Sequence, residues 1–107
     1  MVITQYCIVL VELDRSKGAE ISNTRPCVVV SPNEMNRYLR TVVVAPMTRS
    51  VMPYPTRVRV RHNQETVWIV ADQITTIDRQ KIKRYLGKLT YPEIKKLKKV
   101  IRETYVD

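Results

Sequence analysis

Glycine is scarce in this chain, at two residues in 107, and phenylalanine is absent. Two glycines, at 18 and 87, fall short of the three in GxGxxG and lie too far apart for a Walker loop, so the nucleotide-binding folds that rely on them are excluded. One histidine and two cysteines, with no CxxC spacing, give no basis for a zinc site, and no metal or other cofactor is expected. No serine-centred elbow occurs, and His62 ends an alternating segment, which reads as a solvated strand-end residue and not as a triad base. Long apolar runs are missing as well. Tyr6 to Leu13 is broken by Glu12, so no secretory segment is expected, and no run approaches the roughly 20 residues of a membrane span. Cys7 and Cys27 lie in apolar runs and read as buried free thiols of a reduced, cytoplasmic compartment.

Acidic residues are also in short supply. Ten Asp and Glu face nineteen Lys and Arg, for a net charge of +9. An excess of that size points to a polyanionic partner, nucleic acid before an anionic membrane surface. A length of 107 residues predicts a single domain over 1–107.

Along the chain, Tyr6 to Leu13 and Arg25 to Val30 are rich in β-branched residues and predict strands, the second with Pro26 at its start, where a missing N–H is tolerated. Asp14 to Thr24 reads as a long polar loop. Ser31-Pro32-Asn33-Glu34 carries a helix-start pattern, with Ser31 as cap and Pro32 in the first helical position. That helix must be short, because Thr41 to Ala45 is a strand again, ended by Pro46. Met47 to Thr56 is a second exposed loop.

Arg57-Val58-Arg59-Val60-Arg61 alternates strictly, with one face apolar and the other carrying three arginines. That second face suits either a groove for a single-stranded backbone or plain solvent. Thr66 to Ala71 predicts a buried strand, with Trp68 in the core, and Gln73 to Ile77 and Tyr85 to Leu89 are weaker strands. Thr90-x-x-Glu93 is a capping box that opens a helix. Its apolar positions Ile94, Leu97, Val100, Ile101 and Tyr105 share an arc of about 140°. Short strands with a packed terminal helix predict a mainly β fold (α+β): a small, strongly bent antiparallel sheet or barrel, with a short inserted helix and a C-terminal helix.

The residues able to do chemistry are polar groups at strand ends and in loops: Glu20, Thr24, Arg25, Thr48, Arg49, Asp72, Gln73 and Arg79. Arg25 stands out, since a guanidinium opening an apolar strand cannot be buried cheaply. Taken locally, it is either a loop arginine paired with Glu20 or Asp14, or a phosphate clamp.

Four segments in order resemble the successive motifs of the MazF/PemK toxin family: Gly18-Ala19-Glu20; Thr24-Arg25-Pro26-Cys27-Val28-Val29-Val30-Ser31-Pro32; Val44-Ala45-Pro46-Met47-Thr48; and Ala71-Asp72-Gln73-Ile74. The resemblance extends to Leu86-Gly87-Lys88-Leu89 and the last helix. Two positions depart from it. Tyr6-Cys7 stands where the family usually has Gly-Asp, and Arg15 stands where it often has Pro.

The resemblance implies an SH3-like barrel, a homodimer, metal-independent cleavage of single-stranded RNA at short sequence motifs, and an antitoxin whose acidic flexible tail occupies the RNA groove. It assigns Arg25 and Thr48 as the catalytic pair, Glu20 as a further required carboxylate, and Asp72 and Gln73 as RNA contacts. Thr24, Arg49, Arg57, Arg59 and Arg79 are added here as candidate RNA-binding residues on their charge or position. In metal-free cleavage the substrate's 2′-hydroxyl is the nucleophile. Arg25 and Thr48 suit the phosphate oxygens. The general base stays open, because a guanidinium with a pKa above about 12 is poorly matched to that task. Two other functions fit the composition: a non-catalytic nucleic-acid-binding barrel, and a toxin of the same fold that acts on a DNA topoisomerase.

Overall fold

Valine, isoleucine and threonine dominate the apolar runs, and β-branched side chains pack well on a pleated surface. The computed structural model describes residues 1–12, 23–50 and 54–106. In it these runs form β1 (Cys7–Glu12), β2 (Thr24–Val29), β3 (Thr41–Thr48), β4 (Arg57–His62), β5 (Glu65–Val70), β6 (Thr75–Asp78) and β7 (Ile82–Lys88). A short helix α1 (Asn33–Tyr38) joins β2 to β3, and α2 (Tyr91–Tyr105) follows β7. All pairings are antiparallel. The strand order is β4-β5-β3-β2-β1-β7, with β6 also on β3. β6 begins at Thr75, after a 3-10 turn over Ala71–Gln73, and β7 begins three residues before the expected Tyr85.

The sheet curls because β3 changes neighbours partway. Thr41 to Val44 pairs with β6, and Met47 and Thr48 pair with β5. Pro46 therefore does not end the strand, contrary to the sequence expectation. The reason lies in the hydrogen-bond alternation. Val30 N–H donates to Val43 O at 2.9 Å, so every second pair in this register exchanges bonds. Cys27–Pro46 is a pair that does not. The N–H that proline lacks would point away from β2, at the place where β6 gives way to β5. Further bending comes from β-bulges in the β1–β7 ladder, where Leu86 and Lys83 are the extra residues. Gly87, beside the first bulge, has φ of 154°.

Successive residues of the central strands face opposite sides, and both sides are buried. Ile8, Val28, Ala45, Met47, Val58, Val60 and Ile69 pack with Leu89 and with Leu97 of α2. Cys7, Val9, Val11, Cys27, Val29, Val42, Val44 and Ile82 form the cluster on the other side. Both cysteines are free and buried.

The terminal helix follows the sequence reading. Glu93 N–H donates to Thr90 Oγ1 at 3.4 Å and Thr90 N–H donates to Glu93 Oε1 at 2.9 Å, closing the capping box. Ile94, Leu97, Val100 and Ile101 face the core, and the Tyr105 hydroxyl donates to Ala71 O at 2.7 Å. The start of α1 differs from expectation. Pro32 is the N-cap and no side chain caps the helix. Ser31 is instead buried, donating to Asn36 Oδ1 and accepting from Val43 N–H at 3.1 Å, while Asn36 Nδ2 donates to Ser31 O at 2.8 Å. A fully buried amide needs such partners, and meeting that need takes Ser31 away from the cap.

Candidate active site

The site begins where a ladder stops. In the alternation fixed by Val30 and Val43, Pro26 faces Met47 at a bond-exchanging pair and has no N–H to give. The β2–β3 ladder accordingly ends at Cys27–Pro46. Continued by two residues along each strand, the same register sets Arg25 opposite Thr48. Both line one open cleft of about 570 Å³, together with Thr24 and Arg49.

Arg25 is exposed, and among the described residues it has no acidic partner, so its N–H donors are open to a ligand. Thr48 is half-buried, and its Oγ1 accepts from Ser50 N–H at 3.1 Å. That bond uses a lone pair and leaves the hydroxyl proton to be donated into the cleft. Arg49 reaches across to Glu65, with Nε 3.0 Å from Oε2. With those side chains 80% and 50% exposed, the pair is worth at most about 1 kcal/mol. An arriving phosphate can therefore compete for Arg49.

The opposite wall is the turn between β4 and β5. Asn63 and Gln64 have φ of 52° and 64°, the left-handed pair of a two-residue hairpin turn. The turn sets His62 opposite Glu65 and brings His62, Asn63 and Glu65 into the cleft. From the sequence His62 reads as a solvated strand-end residue, and Asn63 and Glu65 are not among the candidates. The available signal was an asparagine between two alternating segments, the position such a turn favours.

The other candidates lie elsewhere. Glu20 falls outside the described residues. Arg57 is at the far end of β4, with its Nε 3.3 Å from Asp72 Oδ1 but without hydrogen-bond geometry, and with its guanidinium over the Tyr54 ring. Gln73 is exposed in the adjoining 3-10 turn. Arg79 is tied to the α1 region: its guanidinium donates to Asn36 O and its N–H to Arg40 O. Arg59 and Trp68 line a separate groove beside α2. Trp68 is thus not the core residue its apolar neighbours suggested, because in β5 it is Val67 and Ile69 that point inward.

A curled antiparallel sheet closed by a helix, with a guanidinium and a hydroxyl side by side where the β2–β3 ladder stops, defines a small SH3-like barrel with an open polar cleft. The sequence profile of PemK-like, MazF-like toxins of type II toxin–antitoxin systems matches residues 4–105, and the chain belongs to that family. It is 31% identical over 99 residues to the endoribonuclease MazF of Staphylococcus saprophyticus, covering 87% of this chain and 80% of that one. The fold is shared with an endoribonuclease from a mycobacterial species, at a TM-score of 0.81 and 22% identity, covering 97% of this chain and 91% of the other. It is shared too with a MazE–MazF structure from Deinococcus radiodurans, at a TM-score of 0.82 and 19% identity, covering 96% and 95%.

Proposed function

We propose that this chain is an endoribonuclease toxin that cuts single-stranded RNA, with the scissile phosphate held between Arg25 and Thr48. The observation that carries this reading is the cleft those two side chains share. A planar cationic fork matches phosphate oxygens, and a hydroxyl with a free proton completes their solvation. The activity named for the Staphylococcus saprophyticus relative supports it.

In the proposed reaction the 2′-oxygen attacks the neighbouring phosphorus, the bond to the 5′-oxygen breaks, and that oxygen takes up a proton. The products are a 2′,3′-cyclic phosphate and a 5′-hydroxyl. Arg25 and Thr48 stabilise charge gathering on the non-bridging oxygens. A carboxylate is better suited than a guanidinium to accept the 2′-hydroxyl proton, which keeps Glu20 in the proposal as the base. Thr24 and Arg49 extend the contact to adjoining phosphates.

The nucleophile belongs to the substrate, so cleavage is expected to persist in EDTA. Incubating the purified protein with a defined RNA tests this. Arg25→Ala should slow cleavage by about 10²–10³-fold, and a 2′-deoxy nucleotide at the cut should stop it. Strict magnesium dependence, or cleavage of the deoxy substrate, would overturn the proposal.

An antitoxin partner, a homodimer and a cytoplasmic setting belong to the same proposal. A solved mycobacterial endoribonuclease bound to its cognate antitoxin supports the first, and a net charge of +9 suits an acidic tail. Among the described residues no helix is long and apolar enough to cross a membrane.

A further inference from the structure

Trp68 is the only tryptophan in the chain. It is partly exposed on the face of β5 opposite to the buried Val67 and Ile69. Its cross-strand partners are Thr48 on β3 and Arg59 on β4. Direct partners in antiparallel strands put their side chains on the same face. Thr48, Trp68 and Arg59 therefore form one row across three strands, leading from the cleft toward the edge of the sheet. At the spacing of neighbouring strands the row is about 10 Å long.

The row ends in a groove of about 320 Å³, lined by Trp68, Arg59, Arg57, Lys96, Lys99 and Glu103 among others. Arg57 is engaged by Asp72, and Glu103 lies 4.0 Å from Lys99. Arg59 and Lys96 have no acidic partner among the described residues. The groove is thus cationic, with an indole wall, and one row of side chains leads to it from the cleft. Single-stranded RNA is bound elsewhere by this combination: basic groups track the backbone while bases stack on aromatic faces.

We infer that this groove is a subsite for a nucleotide flanking the scissile one, with Trp68 as its stacking platform and Arg59 and Lys96 on the backbone. The inference rests on the proposed action on RNA and extends it along the strand.

The lone tryptophan makes the test direct. A dye-labelled 2′-O-methyl RNA long enough to reach both sites is titrated into the intact protein, following dye anisotropy and Trp68 fluorescence together. Fluorescence should be quenched along the same saturation curve as the anisotropy. Trp68→Leu should weaken binding by about 5- to 150-fold, the loss of one stacked base, and raise KM for cleavage more than it lowers kcat. Trp68→Phe should recover part of both. Binding seen by anisotropy without quenching, at unchanged affinity in Trp68→Leu, overturns the subsite and leaves the nuclease proposal standing. Quenching by an acidic peptide but not by RNA also overturns it, assigning the groove to a protein partner. Binding with quenching but no cleavage upholds the subsite and sinks the nuclease proposal. Absence of any RNA binding overturns both.

Discussion

Burial pushes the Cys27 thiol up to about 11, against a smaller lowering by the neighbouring Arg25 charge, and burial raises Cys7 as well. A thiolate is the reactive form, so neither cysteine is expected to react with thiol reagents in the folded protein near neutral pH. The sign of the stability effect follows. The folded-state value of Cys27 lies above its ordinary 9.0, so its contribution is complete below that pH and is lost as pH rises through the folded value. Two pKa units correspond to about 3 kcal/mol. Urea unfolding of wild type and Cys27→Ala should therefore converge as pH rises from 9 to 11, and parallel curves would contradict this. Arg79→Ala should lower stability by about 1–2 kcal/mol, since its bond to the Asn36 carbonyl holds α1 against the turn after β6; a thermal melt reads the difference. Arg25 was legible in the sequence because charge before an apolar strand is costly to hide. The binding of Arg79 to α1 was not, because its partner is a backbone carbonyl 43 residues away, and such a partner leaves no mark in composition.

The β4–β5 hairpin turns on Asn63 and Gln64, both with positive φ. Glutamine is the poorer fit of the two, and relieving it through Gln64→Gly should stabilise the protein by about 1 kcal/mol, seen as a rise in Tm. The carbonyl of Gln64 that accepts from Arg61 is main chain and stays. In α2, Glu93 serves two elements. One oxygen accepts from Thr90 N–H and the other from Arg61 N–H at 2.9 Å, on the outer strand β4. Thr90→Ala should cost about 1 kcal/mol, as cap losses do. Glu93→Ala should cost more, because it also leaves an edge-strand donor unpaired; equal losses in chemical denaturation would count against that double role. The capping box was plain in the sequence, as spacing and residue type are both local. Its second service was hidden, because it depends on where β4 comes to lie. The continuation of β3 through Pro46 was hidden for a similar reason: a proline stops one ladder, and only the fold shows that the strand has another neighbour.

Over the whole molecule, the +9 charge is divided by partners and not spread evenly. Arg57, Arg49 and Lys83 are each within ion-pair distance of a carboxylate, while Arg25 and Arg59 are not, among the described residues. RNA affinity should fall with salt at a log–log slope of about 0.7 per phosphate contacted, and Arg59→Gln should reduce that slope by about one such step. A bent antiparallel sheet with a terminal helix was readable from strand lengths, turn residues and the helix arc. The cleft was half readable. One wall, Arg25 and Thr48, falls within two residues of a proline on each strand; the other arrives only when the distant hairpin folds back beside β3.

Pro26 ties that architecture to potency. A residue with an N–H at this position, as in Pro26→Val, could bond Met47 and let β2 and β3 zip past Arg25 and Thr48. The new amide should then be protected from exchange while RNA cleavage slows. Sheet growth, ordinarily a gain in order, would here act as a self-inhibitor. A more completely bonded version of this protein would be a slower nuclease, so order in the sheet and access to the cleft are set against each other at a single imino acid.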